Sequence, residues 1–511
     1  MGSVISFFPP RQRLLAAFSG LLLAAACPPY ELFPLAWVGL IPLFITLERS
    51  PGGGFVEGFI AGVVFNTGVI YWLAFNMGTH LIVAAITLVL AVAVLATGWG
   101  AAAWVFLKIR SRLGFGAWLL VPFSWVACEG WLTHMGELAF PWPLLALTQS
   151  GFNPLLQIME FTGAAGVTFW VAAVNVLLFM LITAPAERVK RWSVAGLAAL
   201  TVVAVLAGLH ARRYLDSGRE SLKISVVQGN IGAHEKWIKG TQFSWSIYDS
   251  LSRCAAGADA DVDLFIWPET ALPAHLMHQS VYADKFARLS SRLNAWILTG
   301  ASDFQRVGDE QRPLNAAFLA GPDLGITDRC AKIFLVPFGE RVPFQWIVPQ
   351  LGKLNLGQAE FLKGLRPTIF TIPKDDITIR FPVMICYESI FSWISRSAVR
   401  RGANLLVTIS NDAWYGRSPE AEQIAALSRF RCIETRRSMA RASNTGISLL
   451  IDHLGREIVR TRQFEKSFAT AEVPICEATT FYTVHGDLFA AVATLVYGVF
   501  LLVAAIGGIR K

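Results

Sequence analysis

Three short segments carry residue types that together could move an acyl group. Phe381-Pro382-Val383-Met384-Ile385 reads as an apolar strand that runs into Cys386-Tyr387-Glu388, so a thiol stands at a strand end with an aromatic ring and a carboxylate beside it. A free thiol, with a pKa of about 8.5, is a weak nucleophile until a neighbour lowers that value or takes its proton. Phe265-Ile266-Trp267-Pro268 is a second apolar strand, and it ends in Glu269. The third segment puts Lys332 on a strand and follows it, through a Pro/Gly turn, with a second acid at Glu340. Each feature alone has a plainer reading: a small buried hydrophobe, a helix-opening acid and a surface lysine. As an ordered set they supply a base, a nucleophile and a cation for an oxyanion, the roles that acyl transfer requires.

These segments need a scaffold, and the middle of the chain reads as α/β. Runs of β character fall at 222–228, 263–267, 295–300, 314–320, 377–386, 403–410 and 446–452, with helical stretches at 243–256, 282–293 and 419–438. No repeat or low-complexity tract interrupts this region, and its length suits one well-filled domain.

The flanks are different in kind. Of 511 residues, 54% are hydrophobic and only 16% charged, and the apolar residues crowd into the first 210 and the last 25 positions. Segments able to span a bilayer are expected at 12–28, 33–48, 55–75, 80–107, 114–132, 164–184, 192–210 and 487–508. A signal peptide is not read at the N-terminus, because Pro28 and Pro29 follow the small-residue run at 23–27 and further spans follow them. Arg11, Arg13, Arg49, Lys108, Arg110, Arg112, Arg188, Lys190, Arg191, Arg510 and Lys511 all fall on one side of an eight-span topology. That orientation makes both termini cytoplasmic and puts 211–486 outside. The domains are therefore expected at 1–210, 211–486 and 487–511, the last being a spanning helix with a short tail.

The net charge of +8 belongs to these span-flanking residues, and with no nucleic-acid motif it gives no reason to expect nucleic acid as a partner. The seven cysteines form no C-x-x-C pair, so neither a zinc site nor a redox motif is indicated and no disulfide is expected. Phe140-Pro141-Trp142-Pro143, in an almost uncharged loop, fits a segment lying against lipid headgroups or an ordinary outer loop.

Taken together, the motifs resemble a family. Phe140-Pro141-Trp142, Gln228-Gly229-Asn230, Trp267-Pro268-Glu269, Leu335-Val336-Pro337-Phe338-Gly339-Glu340, Cys386-Tyr387-Glu388, Asn411-Asp412-Ala413-Trp414-Tyr415-Gly416 and Asn444-Thr445-Gly446 stand in the order found in apolipoprotein N-acyltransferases. That family sets a nitrilase-type (carbon-nitrogen hydrolase) domain within a membrane domain. The resemblance implies an α-β-β-α sandwich inserted between the seventh and eighth spans, and a triad of Glu269 as general base, Lys332 as oxyanion stabiliser and Cys386 as nucleophile. It implies supporting roles for Glu340, Tyr387, Glu388 and Asn315, and substrate contacts for Trp237, to which we add Trp414, Tyr415, Phe344 and Trp346. No cofactor and no metal come with it. The implied reaction passes a fatty acyl chain from a phospholipid, typically phosphatidylethanolamine, through a thioester to the N-terminal amine of a diacylated apolipoprotein. The implied location is the bacterial inner membrane, with the catalytic domain on the periplasmic side.

Two departures stand out. Where the family often has His-Gln-His, this chain reads Glu422-Gln423-Ile424, and Phe334 replaces a polar residue; these positions are candidates for the wall of the substrate cleft. The stretch 342–366 is expected as a mobile apolar arm over the lipid entrance. A membrane-tethered amidase that releases its thioester to water, and an inactive membrane scaffold, are the rival readings.

Overall fold

The computed structural model describes residues 10–49, 53–215, 218, 220–345, 347, 350 and 360–506. Helices fill the described part of the first 215 residues. Four stretches are long and apolar enough to cross a membrane: Phe55–Phe75, Leu81–Thr133, Ala164–Thr183 and Glu187–Tyr214. The 53-residue stretch covers two expected spans, since the helix Leu81–Leu113 stops at Gly114, whose φ of 64° is not helical, and Val121–Thr133 forms a second helix. The other expected spans are shorter helices. Pro10–Ala26 has 17 residues, about 25 Å at 1.5 Å per residue. In Phe33–Glu48, Pro34 and Pro42 each open a new helical piece, so the segment divides into Phe33–Trp37 and Ile41–Glu48. Close packing here depends on small residues: a Cβ on Gly62 would stand 2.9 Å from the Ala96 Cα on the neighbouring helix.

The rest of the chain is strand-rich. In order, the strands are β1 (Ser221–Gln228), β2 (Leu264–Ile266), β3 (Leu272–His275), β4 (Trp296–Val307), β5 (Glu310–Gly321), β6 (Gly325–Ala331), β7 (Ile369–Lys374), β8 (Ile377–Ile385), β9 (Leu405–Ser410), β10 (Ser438–Ser443), β11 (Leu449–Ile451), β12 (Glu457–Arg460) and β13 (Ser467–Pro474). One sheet runs β13-β1-β2-β4-β5-β6 with β3 beside β4, and the other runs β12-β11-β10-β9-β8-β7. Both are mixed: β1, β2 and β4 are mutually parallel, as are β8, β9 and β10, and the remaining pairs except β3–β4 are antiparallel.

Alternation along the strands sorts the core. Ile224, Val226, Ile266 and Leu319 of the first sheet share one apolar cluster with Phe370, Ile379, Phe381 and Val407 of the second. The opposite face of the first sheet, with Phe265, Ile297 and Phe318, packs on Tyr248 and Phe286 from the helices Glu235–Ala258 and Ser280–Leu293. On the second sheet, Met384, Leu406 and Met439 join the helices Ser392–Arg400 and Glu420–Thr435 in a cluster that continues into Phe44, Trp118 and Trp142. The helical half and the strand-rich half therefore share one core.

Three expectations are corrected. Residues 141–150 are all buried, so the Phe140–Pro143 turn is packed within protein and not spread on headgroups. The helix expected over 419–438 ends at Thr435, where Arg436 turns left-handed with a φ of 51° and the chain enters β10. Lys332 stands one residue beyond its strand, since β6 stops at Ala331.

Candidate active site

Glu269, Lys332 and Cys386 each follow the end of a strand: β2, β6 and β8 respectively. The turns that present them are sharp. Cys386 has a φ of 56°, Thr270 beside Glu269 has 45°, and Phe338 in the turn to Glu340 has 61°. Such angles in residues with a side chain cost of the order of 1–3 kcal/mol each and persist only where the surroundings enforce them. Gly300 shows the enforcement, because a Cβ there would lie 2.6 Å from the Glu269 Cα and from the Pro268 carbonyl oxygen. β4 can pass that close to the Glu269 turn only with glycine at this position.

The side chains form one buried network. The Lys332 Nζ donates to Glu340 Oε1 at 2.8 Å and stands 3.6 Å from Glu269 Oε1. The Asn315 Nδ2 donates to the same two oxygens, at 2.6 Å for Glu269 and 3.3 Å for Glu340. Glu388 closes the network from the other sheet. Its Oε2 accepts from the Ile385 N–H at 2.7 Å, and its Oε1 accepts from Ile333 at 2.5 Å and Phe334 at 2.9 Å. One carboxyl thereby ties the backbone after Lys332 to the backbone before Cys386. Burial pushes Glu388 up to about 7, against the pull of those N–H groups and of Lys332.

The charges around the thiol decide its resting form. Burial raises Cys386 well above the usual thiol value and the Glu269 carboxylate adds to that, while Lys332 pulls the other way. The resting group is a thiol, which needs a base. Burial opposes the charge on Lys332, yet the Glu340 and Glu269 carboxylates outweigh it and hold the ammonium above the ordinary lysine range. A buried cation and a carboxylate whose charges both act on a nearby thiol can carry out acyl transfer through a covalent intermediate. No group of three or more His, Cys, Asp or Glu able to hold a metal occurs among the described residues, and all seven cysteines are free.

Of the other expected residues, Tyr387 donates its hydroxyl to the Ala139 carbonyl at 2.9 Å and stacks on Phe140, with 6.3 Å between ring centres. Tyr415 meets Trp72 edge-on at 4.7 Å, and burial, with the Glu420 carboxylate, raises its hydroxyl above the ordinary phenol range. Trp414 lies edge-on to His234 at 5.5 Å. The Phe344 N–H bonds Glu137 Oε2 at 2.7 Å, while Trp237 is 52% exposed on its helix. Trp346, like much of the expected arm, lies outside the described residues. The two replaced family positions have other partners: Glu422 pairs with Arg460, and Ile424 is buried in the core shared with the helical half. A small cleft of about 40 Å³ opens at Ile333, lined also by Glu137, Phe334, Leu335, Arg341, Val342 and Lys363 among others.

Sequence reading missed Lys236. Its buried Nζ donates to the Thr270 carbonyl at 3.0 Å and hydroxyl at 2.7 Å, gripping the residue after Glu269. Burial lowers it to about 8, with Glu269 opposing. In the sequence Glu235-Lys236-Trp237-Ile238-Lys239 it looks like part of a solvated helix face, and no local signal marks it. The motifs with no direct chemistry also meet: the Asn444 Nδ2 bonds Asn411 Oδ1 at 2.9 Å, and the Asn230 N–H bonds the Asn444 carbonyl at 2.9 Å.

Comparison with known proteins decides the family. A family model described as the N-terminal domain of apolipoprotein N-acyltransferase matches residues 19–177, and one described as carbon-nitrogen hydrolase matches 223–481. An apolipoprotein N-acyltransferase of Geobacter metallireducens is 35% identical over 496 residues, covering 94% of this chain and 93% of the relative. The chain belongs to the apolipoprotein N-acyltransferases. It is accordingly an acyltransferase, and the apolar helices fit a bacterial membrane protein. The Chlorobaculum tepidum apolipoprotein N-acyltransferase is 34% identical, covering 96% of each chain. Among solved structures, Nit3 of Saccharomyces cerevisiae, from branch 10 of the nitrilase superfamily, is 14% identical with a TM-score of 0.39, covering 51% of this chain and 92% of its own. In this acyltransferase the hydrolase-type half carries the Glu269, Lys332 and Cys386 network.

Proposed function

We propose that Cys386 accepts a fatty acyl chain from a phospholipid, phosphatidylethanolamine in the first instance, and passes it to the α-amine of a diacylglyceryl-cysteine at the N-terminus of an apolipoprotein. Glu269 takes the thiol proton as sulfur attacks the ester carbonyl, and Lys332 faces the developing oxyanion. The C–O bond breaks, the proton passes from Glu269 to the departing lysophospholipid oxygen, and a thioester remains. In the second half the acceptor amine attacks, Glu269 takes its proton, the C–S bond breaks and the thiol regains a proton. Glu340 and Asn315 hold Lys332 and Glu269, Glu388 holds the Cys386 turn, and Tyr387 anchors it. Trp237, Trp414, Tyr415 and Phe344 line the approach of the lipids.

The observation that carries this reading is the buried pairing of Lys332 with Glu269, tied by Asn315, whose charges both act on the half-buried Cys386 thiol. A soluble hydrolase would have no use for the helical half, whereas two lipid substrates require it. We further read the strand-rich half as an α-β-β-α sandwich inserted between the seventh and eighth spans, with domains at 1–210, 211–486 and 487–511. It faces the periplasm, with both termini in the cytoplasm.

The test is the intact mass of the protein after incubation with phosphatidylethanolamine, beside Cys386→Ala. A fatty-acyl increment on the wild type, absent from the variant and discharged by a diacylated lipopeptide, is the expected result. An increment discharged by water alone would favour hydrolysis over transfer, and no increment with any phospholipid would remove the transferase mechanism.

A further inference from the structure

Gln423 lies in the first turn of the helix Glu420–Thr435, in the strand-rich half, and is 1% exposed. Its Oε1 accepts from Trp72 Nε1 at 3.0 Å and Trp142 Nε1 at 2.7 Å, and its Nε2 donates to the Pro28 carbonyl at 3.2 Å and the Val69 carbonyl at 3.0 Å. All four partners belong to the helical half. Both lone pairs and both amide protons are used. The orientation of the amide follows from the chemistry: an indole N–H only donates and a carbonyl only accepts, so reversing the group would break every bond. Loss of Gln423 would strand two buried donors and two buried acceptors.

The same partners hold the reactive turn. Trp72 and Trp142 pack together at 4.8 Å, and Trp72 meets Tyr415 at 4.7 Å. Ala139, shortly before Trp142, receives the Tyr387 hydroxyl, and the Met77 N–H, shortly after Trp72, bonds the Trp414 carbonyl at 2.8 Å. Two segments of the helical half thus grip Gln423, the residue after Cys386, and the Trp414-Tyr415 turn.

We propose that Gln423 is a positioning residue that fixes the height and tilt of the Cys386 turn relative to the bilayer. It sets where the thiol meets an ester held in the membrane and takes no part in the chemistry itself. This rests on Cys386 as the nucleophile.

The test separates how the acyl donor is presented. Full-length protein in phosphatidylethanolamine-containing vesicles is acylated in a single turnover, and the same protein is assayed with the water-soluble ester p-nitrophenyl butyrate. Gln423→Met keeps the length and burial of the side chain and loses all four hydrogen bonds. The expected result is a fall of about 100-fold in acylation from vesicle lipid, the scale of a misplacement of about 1 Å. Turnover of the soluble ester stays within about twofold, because a dissolved ester reaches the thiol wherever the turn sits relative to the bilayer. An equal fall with both donors would mean that Gln423 holds the thiol's own geometry, and no fall with either would mean that it positions nothing; both overturn the proposal. If Gln423→Met does not accumulate, Trp142→Phe removes one donor, keeps an aromatic ring and is judged by the same split, expected smaller. Cys386→Ala runs alongside. Activity retained there would overturn the nucleophile assignment, and that failure is distinct from any outcome at Gln423.

Discussion

Cys386 is half-buried and feels the Glu269 charge, so it does not ionise unaided, and in the proposed mechanism the rate of acylation depends on the group that takes its proton. Glu269→Gln keeps the shape and the Asn315 contact while removing the proposed base, and acyl-enzyme formation measured by intact mass should fall by about 10²–10⁴-fold. Lys236 predicts a pH dependence of opposite origin. Burial lowers it to about 8, so below that pH it is an ammonium gripping Thr270 with charge-assisted bonds, and above it a neutral amine that grips more weakly. Acylation in the first half-reaction, which needs no acceptor amine, should decline as pH rises through about 8. Lys332 is held above its ordinary range and contributes nothing there. Lys236→Met should abolish that inflection in a single-turnover pH profile; an unchanged inflection would assign it elsewhere.

At the scale of elements, the strand ends do the positioning and the sheet edges explain what the sequence concealed. The runs read from sequence became β1, β2, β4, β5, β8, β9 and β11, all interior to their sheets. The edge strands β13, β6, β12 and β7 went unread, because an edge strand has one partner and carries polar residues, as in Gly-Ile-Thr-Asp-Arg-Cys-Ala of β6. β10, Ser-Met-Ala-Arg-Ala-Ser, is wholly buried yet has no apolar run, and it went unread, with only Ser438 falling inside the helix expected over 419–438. Gly300→Ala tests the fit between elements. Its Cβ would press on the Glu269 turn, so the variant should lose about 1–3 kcal/mol in thermal unfolding and acylation should fall with it.

At the scale of the whole molecule, the two halves are joined by polar pins set in an apolar seam. Besides Gln423, the fully buried Arg436 donates to Glu160 Oε2 at 2.7 Å and Gln157 Oε1 at 2.7 Å, and Tyr214 donates to Glu160 Oε1 at 2.6 Å. Breaking a buried pair on one side leaves a stranded charge, so Arg436→Met should destabilise by about 3–5 kcal/mol. Arg436→Met with Glu160→Gln should recover much of that loss, as a double-mutant cycle on thermal unfolding would show. The shared core also predicts that residues 220–486 expressed alone expose Met384, Ile424 and their neighbours and self-associate, which size-exclusion chromatography would detect.

The sequence by itself determined the membrane content, the interior strands other than β10, the residue types of the reactive network and the family, because hydropathy, periodicity and motif order are local properties of a chain. It also named Asn315, Glu340 and Glu388, although only through resemblance. Tertiary structure alone decided that Glu388 ties two strand ends together, that Gly300 makes room for the Glu269 turn, and that Lys236 grips Thr270. It turned attention from Glu422 and Ile424 to Gln423 between them, whose partners lie 281 to 395 positions away. Nothing in a sequence records which donor meets which acceptor across such distances. That pairing is set when the sheets and helices close on one another and each buried polar group must find a partner.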